Sequence, residues 1–495
     1  MGIVAKQSVI TTILLYVGAV LGYINILYLY PRFMDLSQIG TTRTLQDMAA
    51  LMVPIAQFGL THSLIRFYPK AALSEKGRKG FLGLILVFGI GGYILFYGLF
   101  TLFQPYIISY FENQAANFVQ YIPEVLLITF LLVIYNLLVA YAQSLLKIIA
   151  ANFIKDVLFR LLIALFLFLY FFEYINFNQF IISIVACYAA MTLAIVSYLL
   201  YLKQISLGFD FSFITKYDLS SLLIFALFSL LGTSGMLIIG KIDSIMVTGM
   251  LGLDLNGLYT TVFYIAVIIE FPKRAINQIS LPLVSRAFDD NKLHEISLLY
   301  KQSSINQLII GGLLFIGLWV NLDNIFAFMP KGDTFEAGKY VIIFIGIGRL
   351  FDMLAGINSE IIVMSKHFRF NMVLLGVLAV LSIVFNLIFI PLYGINGAAL
   401  GSALALILFN IAKFVFLWLK LRIQPFSVQT LKVLLLLATS LLLGFVFPKS
   451  ASVFVDILIR SSVVSLFFFA GILWSRPSPE LHDLILRILK IFRKR

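Results

Sequence analysis

The sequence predicts an all-α polytopic membrane protein with about 14 transmembrane helices, arranged as two six-helix lobes and a C-terminal helix pair. Three observations predict it. Of 495 residues, 61% are hydrophobic and 12% charged, with a mean hydropathy of +1.02; a soluble domain averages ~45–50% apolar and ~25% charged. Apolar runs of about 20 residues, each enough to cross ~30 Å of hydrocarbon, recur from one end of the chain to the other. Lysines and arginines gather in alternate connections between those runs.

The first run, 9–30, follows a single lysine and lacks a small-residue cleavage signature, so it reads as a retained helix rather than a signal peptide. Lys6 stands where a myristoylation signal needs Ser or Thr. Further spans are expected at 44–66, 80–102, 122–145, 153–172, 179–202, 219–249, 257–280, 301–321, 338–362, 369–390, 394–420, 428–447 and 452–474. After the last comes LHDLILRILKIFRKR, with Leu481, Leu484, Ile485, Ile488 and Phe492 on one helical face and Arg487, Lys490 and Arg493 on the other. It reads as an interfacial helix on anionic membrane lipids, or as a basic tail that locks topology.

Of the 36 basic residues, Arg32, Arg43, Lys331, Lys339 and Lys449 fall on the side of the first connection, and Lys241, Arg349, Lys413 and Arg460 lie within spans. The remainder fall on the side of the N-terminus. That asymmetry predicts cytoplasmic termini at both ends, and it accounts for the net charge of +13 without a nucleic-acid partner. The expected outer connections 103–121, 173–178 and 391–393 contain no Lys or Arg.

Several function classes are excluded. No connection reaches ~50 residues, so a separate catalytic or nucleotide-binding domain has nowhere to sit, and neither an enzymatic activity nor a cofactor is expected. The single cysteine, Cys187, lies in an apolar span, and His62, His294, His367 and His482 are scattered, which gives no metal-ligand cluster. GMLIIGK (235–241) matches a phosphate-binding loop except at its last position, where Ile242 replaces the hydroxyl, and it sits inside an apolar helix. Gly235 and Gly240 are read as packing residues, as is the small-residue row Gly397, Gly401 and Ala405.

The segment MDLSQIG (34–40) joins the first two spans much as LGLDLNG (251–257) joins the seventh and eighth. Aligning Gly40 with Gly257 suggests a duplicated six-helix lobe, and an even helix count makes the two copies parallel, a pattern common among transporters. The expected organisation is an N-terminal lobe (1–202), a cytoplasmic connector (203–218), a C-terminal lobe (219–420), an extra helix pair (421–474) and a basic tail (475–495).

Charges inside spans cost ~2.5–3.5 kcal/mol each on the insertion scale, so each needs a partner or an aqueous cavity. Arg349 lies mid-span with Asp352 three residues on; the pair either lines a cavity or neutralises itself within the helix. Lys241 and Asp243, two apart, are nearly opposite in azimuth and must look elsewhere. Arg43 and Asp47 have the spacing of an interfacial i,i+4 pair. Glu270 with Arg274, Lys413, and Asp456 with Arg460 read as structural. Deep basic groups suit an anionic head such as a diphosphate.

Three stretches, GKIDSIMVTGMLGLDLNGLYTTVFYIAVIIEFPKRAINQISLPLVSRAF (240–288), LYPRFMDLSQIGTTRTLQDMAALMVPIAQFGL (29–60) and PLYGINGAALGSALA (391–405), resemble bacterial polysaccharide flippases of the O-antigen (Wzx-like) type in the MOP superfamily. The resemblance runs over essentially the whole chain. It implies the fold shared with multidrug antiporters (MATE-like), alternating access, the bacterial inner membrane, and a cargo of undecaprenyl-diphosphate-linked oligosaccharide used in polysaccharide biosynthesis. The first span carries no charge, whereas the peptidoglycan-precursor branch places arginines there.

The expected site therefore comprises Arg349, Lys241 and Arg43 for the diphosphate, with Asp352, Asp243 and Asp47 beside them, lining a cavity between the lobes. One alternative is a multidrug or cation antiporter of the same fold, recruiting Asp47, Asp243 and Glu270 for a coupling ion, H+ or Na+. Another is a membrane-embedded glycosyltransferase or polymerase, which calls for a large outer loop with clustered carboxylates or arginines; 103–121 offers only Glu112.

Overall fold

Short polar punctuation between apolar runs decides where the helices begin. Asp35 accepts from the Gln38 backbone N–H at 2.8 Å while Gln38 Oε1 accepts from the Asp35 backbone, and Asn176 with Gln179 repeats the arrangement. Each box satisfies N–H groups that a helix N-terminus leaves bare. Hydrocarbon offers no partner for backbone polar groups, so the runs between such signals become helix.

The computed structural model describes residues 3–205, 216–450 and 452–477, and among them no strand occurs. The connector (206–215) and most of the basic tail (478–495) lie outside the described residues. Among the described residues, ten helices are long and apolar enough to cross a membrane, or up to twelve if each of two bent pairs is one span. The expected spans 153–172 and 219–249 fall on further helical segments, described below, that are not among those twelve.

The chain divides into two compact units, Met1–Thr260 and Thr261–Arg495. The first holds α1 (Ile3–Ile24), a π-helical turn, α2 (Tyr30–Phe33), α3 (Leu36–Ala56), α4 (Leu60–Ala71), α5 (Glu75–Val119), α6 (Ile122–Ser144), α7 (Ile148–Phe153), a second π-helical turn, α8 (Phe159–Phe171), α9 (Phe177–Tyr201), α10 (Lys216–Leu251) and the start of α11 (Leu253–Val267). α10 packs against α3, α4 and α5. The sequence-based connections 34–40 and 251–257 shrink to breaks at Met34–Asp35 and Gly252, because capped helix starts occupy the rest. The expected outer connection 103–121 is likewise mostly helix, since α5 continues, across a kink at Ala115, to Val119 with Phe111, Ala115 and Phe118 buried.

The second unit holds the 3-10 turn Ile268–Glu270, α12 (Phe271–Asp289), α13 (Leu293–Val320), α14 (Leu322–Phe328), α15 (Gly332–Glu336), α16 (Lys339–Leu354), α17 (Asn358–Met364), α18 (Phe368–Tyr393), α19 (Ile395–Leu421), α20 (Val428–Val446) and α21 (Val453–Ser475). α16 and α17 meet at 49° across a break at Ala355–Ile357. Gly356 turns the chain there with φ +61°, a conformation that costs residues with a side chain. Two buried clusters hold the break. Ile269, Leu308 and Met353 pack on its α16 side, and Ile357, Ile361, Tyr300 and Leu417 on its α17 side.

Candidate functional site

In the first unit, α3 and α11 meet without intervening side chains, and α10 packs beside them. A Cβ on Gly40 would lie 1.9 Å from the Leu253 carbonyl oxygen, and one on Gly257 would lie 2.1 Å from that of Leu36. The contact is reciprocal: each glycine touches the carbonyl four residues before the other. Beside it the Thr44 and Thr248 hydroxyls share a hydrogen bond of 2.7 Å, and Asn256 Nδ2 donates to Thr44 Oγ1 at 2.9 Å.

That approach brings the charges of two helices together. Lys241 of α10 donates to Asp47 of α3 in an ion pair. Asp243, fully buried, accepts from the Tyr259 hydroxyl of α11 at 2.9 Å. The Arg43 guanidinium lies 5.0 Å from the centroid of the Tyr30 ring, a cation–π distance. The Lys241 and Asp243 side chains thus look to different helices, as their azimuths require. Asp47 takes its partner from α10, so the i,i+4 spacing to Arg43 is not what neutralises it.

In the second unit the expected intrahelical pair is replaced by a ladder. Arg349 Nη1 lies 2.8 Å from Glu270 Oε2, and Asp352 Oδ2 lies 2.5 Å from Lys273 Nζ. Both segments carry charges three residues apart in opposite order, Glu270/Lys273 against Arg349/Asp352, so each charge meets its complement across the contact. Arg274 also reaches Glu270, at 3.5 Å.

The polar contacts continue over the break. Asp352 Oδ1 accepts from Asn410 Nδ2 at 3.0 Å, and Asn358 Nδ2 donates to Asn410 Oδ1 at 3.0 Å. Glu360 Oε1 accepts from Asn277 at 2.6 Å, and Asn277 Oδ1 accepts from Gln307 at 2.9 Å. Lys413, 1% exposed, donates to Ser359 Oγ at 2.8 Å.

Such an arrangement can exchange counter-ions. The Lys241 and Arg349 side chains keep 28% and 16% of their surface accessible, so an anionic ligand that displaces a carboxylate partner finds a donor already in place. Asp456 and Arg460 differ: the pair is buried, and the guanidinium also donates to the Gly444 and Phe447 carbonyls at 3.0 and 2.9 Å. It clamps α20 to α21.

No protein-family model matches the sequence, and no curated protein matches it either. Solved structures do. A lipid II flippase, MurJ, in an inward closed conformation superposes with a TM-score of 0.76 at 14% identity, over 96% of this chain and 100% of that one. A multidrug-resistance MATE transporter of the MOP superfamily, inward-facing, gives 0.62 at 15% identity over 81% and 93% of the two chains. The Vibrio cholerae MATE transporter VcmN (D35N mutant) gives 0.57 at 10% identity over 85% and 98%. With the fold of these structures and its run of long apolar helices, the chain is a multi-pass membrane protein.

Sequence reasoning missed four members of the second-unit cluster. Lys413 reads as structural from the sequence, Glu270 as structural or, in the antiporter alternative, as a coupling-ion carboxylate, and Lys273 and Glu360 are not singled out there. A signal existed in GINSE (356–360), where a glycine and three polar residues interrupt an apolar span. Such interruptions point to ligand sites in transporters.

Proposed function

We propose that the chain is a flippase carrying an undecaprenyl-diphosphate-linked oligosaccharide across the bacterial plasma membrane by alternating access, with both termini cytoplasmic. The observation that carries this reading is the end-to-end fold match to a lipid II flippase, over 96% of this chain, against 81% and 85% for the two MATE transporters. The absence of charge over residues 9–30 favours a glycan other than the peptidoglycan precursor. Arg349, Lys241 and Arg43 supply the cations for the diphosphate. Asp47 of the first unit and Glu270 of the second neutralise Lys241 and Arg349 when no cargo is present. Asp243 and Asp352 complete the neutral surroundings. The division into two six-helix lobes, 1–202 and 219–420, with a helix pair 421–474, belongs to the same proposal and is supported by the reciprocal contact of Gly40 and Gly257.

The test is reconstitution of the full chain in vesicles loaded on one leaflet with lipid-linked oligosaccharide, with a lectin reporting the glycan on the other. Glycan exposure faster than in protein-free vesicles, lost in Arg349→Ala, is the expected result. No exposure with folded protein overturns the flippase reading. Saturable exchange of a cationic drug against protons would instead establish an antiporter, which the buried carboxylates Asp47 and Asp243 would serve.

A further inference from the structure

The break between α16 and α17 is surrounded by oxygen and amide groups of the kind that hold a small cation: Asp352, Asn358, Ser359, Glu360 and Asn410. Transporter helices that break in the membrane expose such groups to coupling ions. Here a side chain of the protein enters the same cluster. Lys413 of α19 is 1% exposed, with Nζ 2.8 Å from Ser359 Oγ and 4.0 Å from the Phe409 ring centroid. Its charge interacts with those of Asp352, Lys273 and Glu360.

The charges of this cluster close only if Lys413 is included. Asp352 is neutralised by Lys273 at 2.5 Å. Glu360 accepts from the neutral amide of Asn277 through Oε1, and its buried Oε2 has no hydrogen-bond partner among the described residues. Lys413 has no carboxylate within ion-pair distance among them, and its bond to Ser359, the neighbour of Glu360, uses one of three ammonium donors. One buried anion and one buried cation remain, on adjoining helices, each short of partners. An uncompensated buried charge is heavily penalised, so the two balance each other across Ser359.

We propose that Lys413 is a tethered cation: its ammonium occupies a monovalent-cation site at the α16–α17 break, serves as the counter-ion of Glu360, and makes this site independent of inorganic cations. The inference concerns a site, not the cargo, and its test requires no translocation.

The purified full chain is melted in NaCl, KCl and choline chloride at equal ionic strength. The wild type is expected to melt at the same temperature in all three. Lys413→Ala opens the site, so its Tm in choline falls, and Na+, K+ or methylammonium raises it saturably by roughly 2–4 °C or more. Lys413→Ala combined with Glu360→Gln removes both charges, and its Tm is expected to be independent of the cation. Saturable stabilisation of the wild type by Na+ or K+ overturns the proposal, as does a folded Lys413→Ala protein indifferent to cations. A double variant that still responds overturns it too. Where Lys413→Ala alone does not fold, the double variant must recover folded yield, and failure to do so counts against the proposal equally.

Discussion

Replacing Arg349 with alanine separates binding from folding, because the structure sets the two costs apart. The guanidinium makes one contact to a carboxylate, Glu270 at 2.8 Å, and Glu270 retains Arg274 at 3.5 Å when Arg349 is gone. No carboxylate is left alone, so the stability cost is that of a partly accessible pair, about 1 kcal/mol or less. A diphosphate that bonds Arg349 loses a charge-assisted contact worth about 1.5–3 kcal/mol, or about 10- to 150-fold in affinity. Asp352→Ala is the control. It strips Lys273 of its partner and leaves Lys413 in the same buried cluster, an imbalance that costs about 3–5 kcal/mol. Against a total stability of about 5–15 kcal/mol that loss depletes the protein. Membrane abundance by immunoblot and glycan exposure in vesicles are the two readouts. Arg349→Ala should keep abundance and lose transport, Arg349→Lys should restore part of it without the bidentate fork, and Asp352→Ala should lose abundance. If Arg349→Ala depletes the protein as far as Asp352→Ala does, the arginine is structural and the assignment of the diphosphate to it is wrong.

Gly40→Ala and Gly257→Ala each drive a methyl group into a backbone carbonyl, so each should cost about 1–3 kcal/mol, read as a lower Tm, whereas Gly240→Ala, with open space around its Cβ, should not. Arg460→Ala leaves Asp456 buried and the Gly444 and Phe447 carbonyls without their donors; abundance should fall while activity per folded molecule stays at the wild-type level. In a Cys187→Ser background, Glu112→Cys should label from outside the cell and Lys76→Cys only from inside; both positions are exposed, and the opposite pattern would invert the topology.

The apolar spans were legible because hydrocarbon leaves the backbone a single solution over each run, whereas the capped starts at Asp35 and Asn176 lie ahead of the expected spans 44–66 and 179–202. The extent of α5 was not legible. A segment without Lys or Arg that contains Pro105 reads as a connection until Phe111 and Phe118 are seen to be buried. Arg349, Lys241 and Asp47 stood out as charges in apolar surroundings, but their partners did not, since a partner is chosen by which helix face arrives opposite. Arg349 and Asp352 shared a face and were open to pairing with each other; the inverted order of Glu270 and Lys273 on another element decided otherwise.

The length of α5 bears on how this molecule can be handled experimentally. Before it kinks at Ala115 (φ −142°, ψ 39°) it runs for 40 residues, roughly 60 Å at 1.5 Å per residue and about twice what a ~30 Å hydrocarbon layer accommodates. The distal part is steadied where the Tyr110 ring lies against Gly249, while Glu112, Asn113 and Asn117 face solvent. A chain otherwise almost devoid of soluble mass therefore carries its own handle. An antibody fragment raised against this stretch would give particle images of a 55.7 kDa protein the asymmetry that alignment needs.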